Sequence, residues 1–507
     1  MTSRRIVFSL ISGLLLVAAF PTIELPMFAW VALVPLLLAL KEQTVKTGFW
    51  LGGISGLVFF CGTVYWVTNS VHFYGYIPLV PAALITLLLC AYLALYPAIF
   101  GAAVVSLRRK HPSLVIIVIP ALWTTLELAR TYVFSGFPWS LLGYSQYTVL
   151  PAIQIADLVG VYGISFLIVL VNTAISEFLT DRRKYTGLII AITMIACVVV
   201  YGYVKLDVPD GTGKLKVSVI QGNIEQDKKW DPTYQAEVSS TYKRLTMEVL
   251  KQKPDIIIWP ETATPFYFGG FGDNGRLTQD LKNFVKMNKV PLLTGSPTYE
   301  VKPQRTVILK NSVFLLANNG EVDAVYHKLH LVPFGEYVPL KSVLFFVEKM
   351  VQAIGDFQAG KDYTVMTAHP HGQEGAIKFS TVICYEIVFP DLVRRFVDRG
   401  ANVLTTITND AWFGRTGAPY QHFSMAVFRA VENRVPVARA ANTGISGFID
   451  AKGRILETSP IFSEAHLTRS ITPGITKTFY TKYGDVFAYL CVIFIVILLV
   501  WKTKKPV

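Results

Sequence analysis

Eight apolar runs bracket one long stretch of mixed polar sequence, and this arrangement limits the possible folds more than any single motif. Seven runs precede residue 205, at about 6–20, 27–40, 49–67, 77–107, 114–129, 152–179 and 187–204, and the eighth covers about 486–501. Crossing about 30 Å of hydrocarbon takes roughly 20 helical residues, and most of these runs are long enough. The first two are short. Hydrophobic residues make up 52% of the 507 and charged residues only 16%, too apolar a balance for an ordinary soluble protein.

The net charge of +13 raises the question of nucleic acid, but its distribution answers differently. Arg4/Arg5, Lys41/Lys46, Arg108/Arg109/Lys110, Arg182/Arg183/Lys184 and Lys502/Lys504/Lys505 all fall on one side of an eight-span topology. The loops around 21–26, 68–76 and 131–151 carry almost no Lys or Arg. By the positive-inside rule both termini are expected in the cytoplasm, with the long segment between the last two spans outside it. Arg4 and Arg5 before an apolar run also suit a signal peptide. No clear A-x-A site follows, however, and another span comes next, so the first run reads as a span.

Within the helical part, the aromatic stretch 135–146, broken by Gly and Pro, lies on the outer side. It reads either as an interfacial surface for a lipid chain or as an aromatic belt with a re-entrant turn. Glu127 and Arg130, one helical turn apart, read as a structural pair.

The chain divides into helices at 1–205, a soluble domain at 206–472, a re-entry linker at 473–485 and a last span with a basic tail at 486–507. The soluble domain alternates β-rich runs (215–221, 255–259, 291–294, 307–316, 376–384, 403–408, 435–441 and 446–449) with helical stretches at about 233–252, 276–287 and 421–433. Such interleaving predicts one α/β domain with central strands covered on both faces. The glycine-rich stretch 269–275 is a surface loop or a lid.

Three motifs carry chemistry. Ile256-Ile257-Ile258-Trp259-Pro260-Glu261 delivers a carboxylate to the carboxyl end of a strand, where ligands of open α/β sheets bind, and Glu261 suits a general base. Tyr326-His327-Lys328 opens a run to Glu336 through a Pro-Phe-Gly turn. There Lys328 suits stabilisation of a thiolate or oxyanion, and Glu336 suits orienting Lys328 or the base. His327 and His330 lack the companions of a zinc set, and no metal is expected. The third motif is Cys384-Tyr385-Glu386. Cys384 is the only one of five cysteines outside the apolar runs, so it has no disulfide partner in its own domain. A lone thiol at a strand end is either a small buried hydrophobe or a nucleophile, and the other two motifs favour the nucleophile. The N–H of Tyr385 would then help to form an oxyanion hole.

Glu, Lys and Cys in this order and these settings resemble the nitrilase (carbon–nitrogen hydrolase) superfamily over about 214–471. The run Lys328–Glu336, the segment Gln226-Asp227-Lys228-Lys229-Trp230-Asp231, the segment from Thr408 to Gly414, the outer-side stretch 135–146 and the flanking spans resemble the bacterial apolipoprotein N-acyltransferase family over nearly the whole chain. The resemblance implies a polytopic α-helical membrane domain of eight spans plus a nitrilase-like αββα sandwich. It implies Glu261 as base, Lys328 as oxyanion stabiliser and Cys384 as nucleophile. Glu336, Tyr385 and Glu386 would support the site, and Trp230 would contact or gate lipid. Asn409, Asp410, Arg439 and Asn442 are expected to hold loops together.

The implied reaction is a ping-pong acyl transfer without a cofactor. The donor would be a phospholipid, typically through the sn-1 chain of phosphatidylethanolamine. The acceptor would be the free α-amino group of the diacylglyceryl-cysteine that begins an apolipoprotein. The expected location is the bacterial inner membrane with a periplasmic catalytic domain, and the expected state is a monomer. The alternatives are a membrane-tethered amidase or nitrilase acting on a small molecule, and a transporter. Few ionisable residues lie deep in the runs, which disfavours the transporter.

Overall fold

The computed structural model describes residues 2–209, 211–301, 307–337, 357–371 and 375–500. Among the described residues, five helices are long and apolar enough to cross a membrane: Val45–Val64, Leu79–Lys110, Pro112–Ser135, Ala156–Thr180 and Tyr185–Asp207. The other three apolar runs also form helices. The first is Ser3–Ala18, with 16 residues, or about 24 Å of helix. The second is interrupted, as Ala29–Ala32 and Val34–Ala39. The third is Val486–Val500, with 15 residues. Five spans are therefore evident by length and composition, against eight apolar runs.

The soluble domain is built on two six-stranded sheets. The first has the order β12-β1-β2-β3-β4-β5. Its strands are β1 (Leu215–Gln221), β2 (Ile256–Ile258), β3 (Leu292–Val301), β4 (Val307–Leu316), β5 (Val322–His327) and β12 (Ala465–Ile471). The second has the order β11-β10-β9-β8-β7-β6. It comprises β6 (Met366–Ala368), β7 (Ile377–Ile383), β8 (Val403–Thr408), β9 (Val437–Ala441), β10 (Gly447–Ile449) and β11 (Ile455–Thr458). The centres are parallel, β1-β2-β3 in one sheet and β7-β8-β9 in the other, and antiparallel strands close the edges.

The sheets stack face to face, β1 on β9, β4 on β7 and β10 on β12. Val217, Val219, Ile258, Val382, Ile407 and Val437 are fully buried between or within them. Helices Gln235–Leu250 and Asp273–Asn288 cover the outer face of the first sheet, through Tyr242, Leu245, Leu281 and Val285 packed on Ile257, Trp259 and Leu292. Pro390–Asp398 and Ala418–Asn433 cover the second sheet. This is the expected αββα sandwich, and parallel central strands require such cover because both their faces are apolar.

Helix Ala418–Asn433 has every residue but Tyr420 buried, because its second face lies on the apolar helix Ala156–Thr180. Polar bonds lock the seam. Glu432 Oε1 accepts the Val161 N–H at 3.1 Å, beside Gly160, whose φ of +63° opens a kink that frees this donor. Arg434 donates to Asp157 at 2.9 and 3.1 Å, and Trp139 Nε1 donates to Gln421 at 2.6 Å. Buried polar groups tolerate such a position only when bonded, so these contacts hold the soluble domain in one orientation on the helices.

Glu127 and Arg130 do not bond one another; each grips the loop 135–146 instead. Glu127 Oε1 accepts the Leu142 N–H at 2.7 Å, and Arg130 donates to the Trp139 carbonyl at 2.6 Å. The loop thus folds into the protein, with Trp139, Leu141 and Tyr144 buried. Gly136 sits at its bend with φ +86°, and a Cβ there would meet the Thr131 carbonyl at 1.9 Å. Gly136→Ala is expected to destabilise the fold by roughly 1–3 kcal/mol, visible as a lower midpoint of thermal unfolding in detergent.

Candidate active site

The candidate residues come from three chain breaks at one end of the stacked sheets. β2 ends, and Trp259-Pro260 carries the chain out to Glu261. Trp259 is anchored by Nε1 donating to Thr246 at 2.9 Å and by stacking on Tyr242. β3 contributes Gly295 at this point, where any Cβ would stand 2.7 Å from the Glu261 Cα, so only glycine lets the two segments pass. Lys328 directly follows β5 and is tied to β4 by its N–H donating to the Asn311 carbonyl at 2.9 Å. Cys384 directly follows β7 with φ +51°, a left-handed conformation rare for a non-glycine residue. A nucleophile on a sharp strand-to-helix turn commonly carries such strain, which lifts the side chain off the sheet.

These breaks converge. The Lys328 Nζ lies 2.8 and 2.9 Å from the two Glu336 oxygens and 3.8 Å from Glu261 Oε1. Asn311 Nδ2 bridges the acids, donating to Glu261 Oε1 at 2.8 Å and to Glu336 Oε1 at 2.9 Å. The backbone N–H of Asn409 donates to Glu261 Oε2 at 2.9 Å. The base candidate is therefore held at both oxygens. Burial alone would lower the Lys328 pKa, but Glu336 and then Glu261 outweigh it and hold the ammonium charged. Burial pushes the Cys384 thiol well above its usual range, Glu261 adds to this, and Lys328 opposes it. At rest the sulfur therefore carries its proton.

Glu386 takes a different part from its neighbours. Its carboxylate accepts from Tyr326 Oη (2.7 Å), Leu329 N–H (2.6 Å), His330 N–H (3.1 Å) and Ile383 N–H (2.7 Å). It straps the Cys384 turn to the Lys328 loop rather than meeting a reactant. Burial raises its pKa to about 7 against the pull of those donors. Glu386→Ala would leave four donors without their acceptor. We expect a loss of about 3–5 kcal/mol in stability, measured by thermal or chemical unfolding.

The Tyr385 hydroxyl donates to the Gly136 carbonyl at 3.2 Å, which ties the site to the loop 135–146. Trp230 ends a short helix, Gln226–Trp230, and its side chain lies outside the described residues. His327 bonds Ser312 and His330 packs on Phe389. Beneath the Cys384 turn, Asp410 accepts from Thr408 and Arg439 and bonds His422, whose Nε2 faces the Cys384 carbonyl at 3.2 Å. Asp410 and Arg439 thus hold the loop as expected. Asn442 does so too, bonding Asn409 and the Ile224 carbonyl.

Sequence reasoning passed over Asn311, Lys229 and His422. Asn311 had one signal, a polar residue amid the apolar run of β4. Lys229 had another, its place in a segment already marked by Trp230.

Two stacked sheets with Glu, Lys and a strand-end Cys converging at one end, seated on a helical region with apolar spans, define a carbon–nitrogen hydrolase-type domain built into a multi-pass membrane protein. The family model described as carbon-nitrogen hydrolase matches residues 216–478, and that described as apolipoprotein N-acyltransferase N-terminal domain matches residues 12–174. A protein of Geobacter metallireducens named apolipoprotein N-acyltransferase is 42% identical over 497 residues, covering 96% of this chain and 93% of that protein. One of the same name from Haemophilus influenzae is 34% identical over 505 residues, covering 95% and 91%. The chain belongs to the apolipoprotein N-acyltransferase family. Among solved structures, an amidase from Nesterenkonia sp. matches at 17% identity and a TM-score of 0.39, covering 55% of this chain and 97% of that one.

Proposed function

We propose that this enzyme moves an acyl chain from a membrane phospholipid to Cys384, and from there to the free α-amino group of the diacylglyceryl-cysteine at a lipoprotein N-terminus. The observation that carries this reading is the buried Cys384 on its strained turn, beside a carboxylate and an ammonium at the end of the domain that is bonded to the helical region. Both substrates are lipid-anchored. A site joined to the outer-side loop of the spans meets them at the headgroup plane, which raises their effective concentration.

Because the thiol is protonated at rest, attack and deprotonation go together. Glu261 takes the Sγ proton as the sulfur–carbon bond to the ester carbonyl forms. The oxyanion that develops is stabilised by the Lys328 ammonium and by the N–H of Tyr385. As the ester C–O bond breaks, Glu261 returns the proton to the departing oxygen, and lysophospholipid leaves. The amine then attacks the thioester, Glu261 takes one N–H proton, the C–S bond breaks, and the proton returns to sulfur. Glu336 keeps Lys328 charged and aimed, and Trp230 contacts lipid.

In the same reading all eight apolar runs cross the bilayer, the three shorter helices with local thinning. Both termini are cytoplasmic and the sandwich is periplasmic, from the sidedness of the basic loops. The donor is typically the sn-1 chain of phosphatidylethanolamine, and the protein acts as a monomer.

The test is mass spectrometry of the detergent-solubilised protein after incubation with one defined phospholipid. An acyl mass on the Cys384 peptide, removed by a lipopeptide with a free α-amine, is the expected result. No adduct, with ammonia released from a small amide, would overturn the reading.

A further inference from the structure

Lys229 is a buried lysine with an unusual set of neighbours. Its side chain is fully buried, and its Nζ donates to the backbone carbonyl of Glu261 at 2.8 Å. Among the described residues it forms no ion pair, whereas Lys328, which lies 3.8 Å from the Glu261 carboxylate, is paired with Glu336. The titratable groups that act on it are Glu261, at the end of β2, and Cys384, at the end of β7. On its own segment, Lys228 pairs outward with Glu225. That segment is fixed to the site at a second point, where Asn409 Nδ2 donates to Gln226 Oε1 at 2.6 Å. A lysine held this way keeps a lone pair beside the base and the nucleophile whenever it is uncharged.

The reaction supplies a use for it. The first half-reaction, thiol plus ester giving thioester plus alcohol, releases no net proton, and Glu261 alone balances it. The second does release one, because a free α-amino group is mostly ammonium at neutral pH, its pKa being about 8. Ammonium plus thioester gives amide plus thiol plus one proton. Glu261 carries one N–H proton to sulfur, one stays on the amide, and the third must leave before the nitrogen has a lone pair with which to attack.

We propose that Lys229 accepts this third proton, making it a second base that serves only the lipoprotein half of the reaction. The neutral lysine takes the proton from the ammonium and becomes charged while the amine attacks. It then passes the proton to solvent as the product leaves. Burial lowers its pKa to about 7, against the pull of Glu261 and Cys384, so it is largely neutral just above that pH and is well matched to an ammonium. This inference rests on the acyl-transfer reading above.

The experiment uses the full chain in detergent, with Lys229→Met and Lys229→Arg. Burial of an unpaired lysine is costly, so Lys229→Met is expected to fold. The arginine keeps a donor for the Glu261 carbonyl but cannot accept a proton. Cys384 acylation by phospholipid should stay within about threefold of wild type. Transfer from the preformed thioester to a free-amine lipopeptide should fall roughly 100-fold at pH 7, the ordinary size of a lost proton acceptor, and recover as pH rises past 8. In the wild type the transfer rate should rise with pH through about 7, as the lysine becomes neutral. Hydroxylamine, already uncharged at neutral pH, should discharge wild-type and variant thioesters alike. Equal slowing of both half-reactions, or of the hydroxylamine reaction, would make Lys229 a prop for Glu261 and overturn the proposal. Unchanged transfer in both variants would overturn it too. Absence of any thioester in the wild type would instead overturn the acyl-transfer reading.

Discussion

Cys384→Ala is expected to abolish the acyl-enzyme and to reduce lipoprotein N-acylation by at least about 10⁴-fold, since no other nucleophile stands in its place. Among the described residues the remaining cysteines all lie in apolar helices, in Val45–Val64, Leu79–Lys110, Tyr185–Asp207 and Val486–Val500. The substitution removes one buried sulfur and leaves the Glu261, Lys328 and Glu336 contacts untouched, so the variant should fold. Its φ of +51° suits alanine no worse than cysteine. The measurement is a phospholipid time course, read as added acyl mass on the protein and as product lipopeptide. Near-normal transfer by the variant would sink the covalent mechanism, because the lipid amine would then be attacking the ester directly.

Glu261→Gln should slow Cys384 acylation by roughly 10²–10⁴-fold, the usual contribution of a positioned base. Two effects act together. The amide cannot take the thiol proton, and burial holds that proton firmly on sulfur. Geometry adds a second difficulty. Both carboxylate oxygens accept, from Asn311 at 2.8 Å and from the Asn409 N–H at 2.9 Å. A glutamine offers one oxygen. With it turned to Asn409, its NH₂ meets the NH₂ of Asn311, donor against donor. Asn311 cannot turn over to relieve this without losing its bond to Glu336 at 2.9 Å. Lys328 keeps its charge through Glu336, so the variant tests the base and not the oxyanion partner. Burst-phase acylation at the wild-type rate would show that the proton leaves by another route, and Glu261 would then be a structural acid.

Much of this protein was legible before any coordinates. Hydropathy is a local property, so the apolar runs and the α/β segment between them follow from composition along the chain. The order Glu261, Lys328, Cys384, each at a strand end, is readable because strand ends are marked by local breaks such as Trp259-Pro260. The basic loops are readable for the same reason, although the side of the membrane they select is an expectation that sequence alone carries. What depended on the tertiary structure are the relations between residues distant in sequence. Glu386 lies two residues from Cys384, and the family resemblance implied a supporting role at the site. How it supports the site was decided by burial, which turned its carboxylate toward four donors and made it a strap between two loops. Glu127 and Arg130 suggested a pair by helical spacing, yet both bond the loop that folds over them. Asn311 and Lys229 carried only faint signals, a polar residue in an apolar strand and a place in the segment marked by Trp230. They became visible only when β4 and the segment 226–230 were brought against Glu261, because a hydrogen bond is set by distance in space, and no spacing along the chain encodes it.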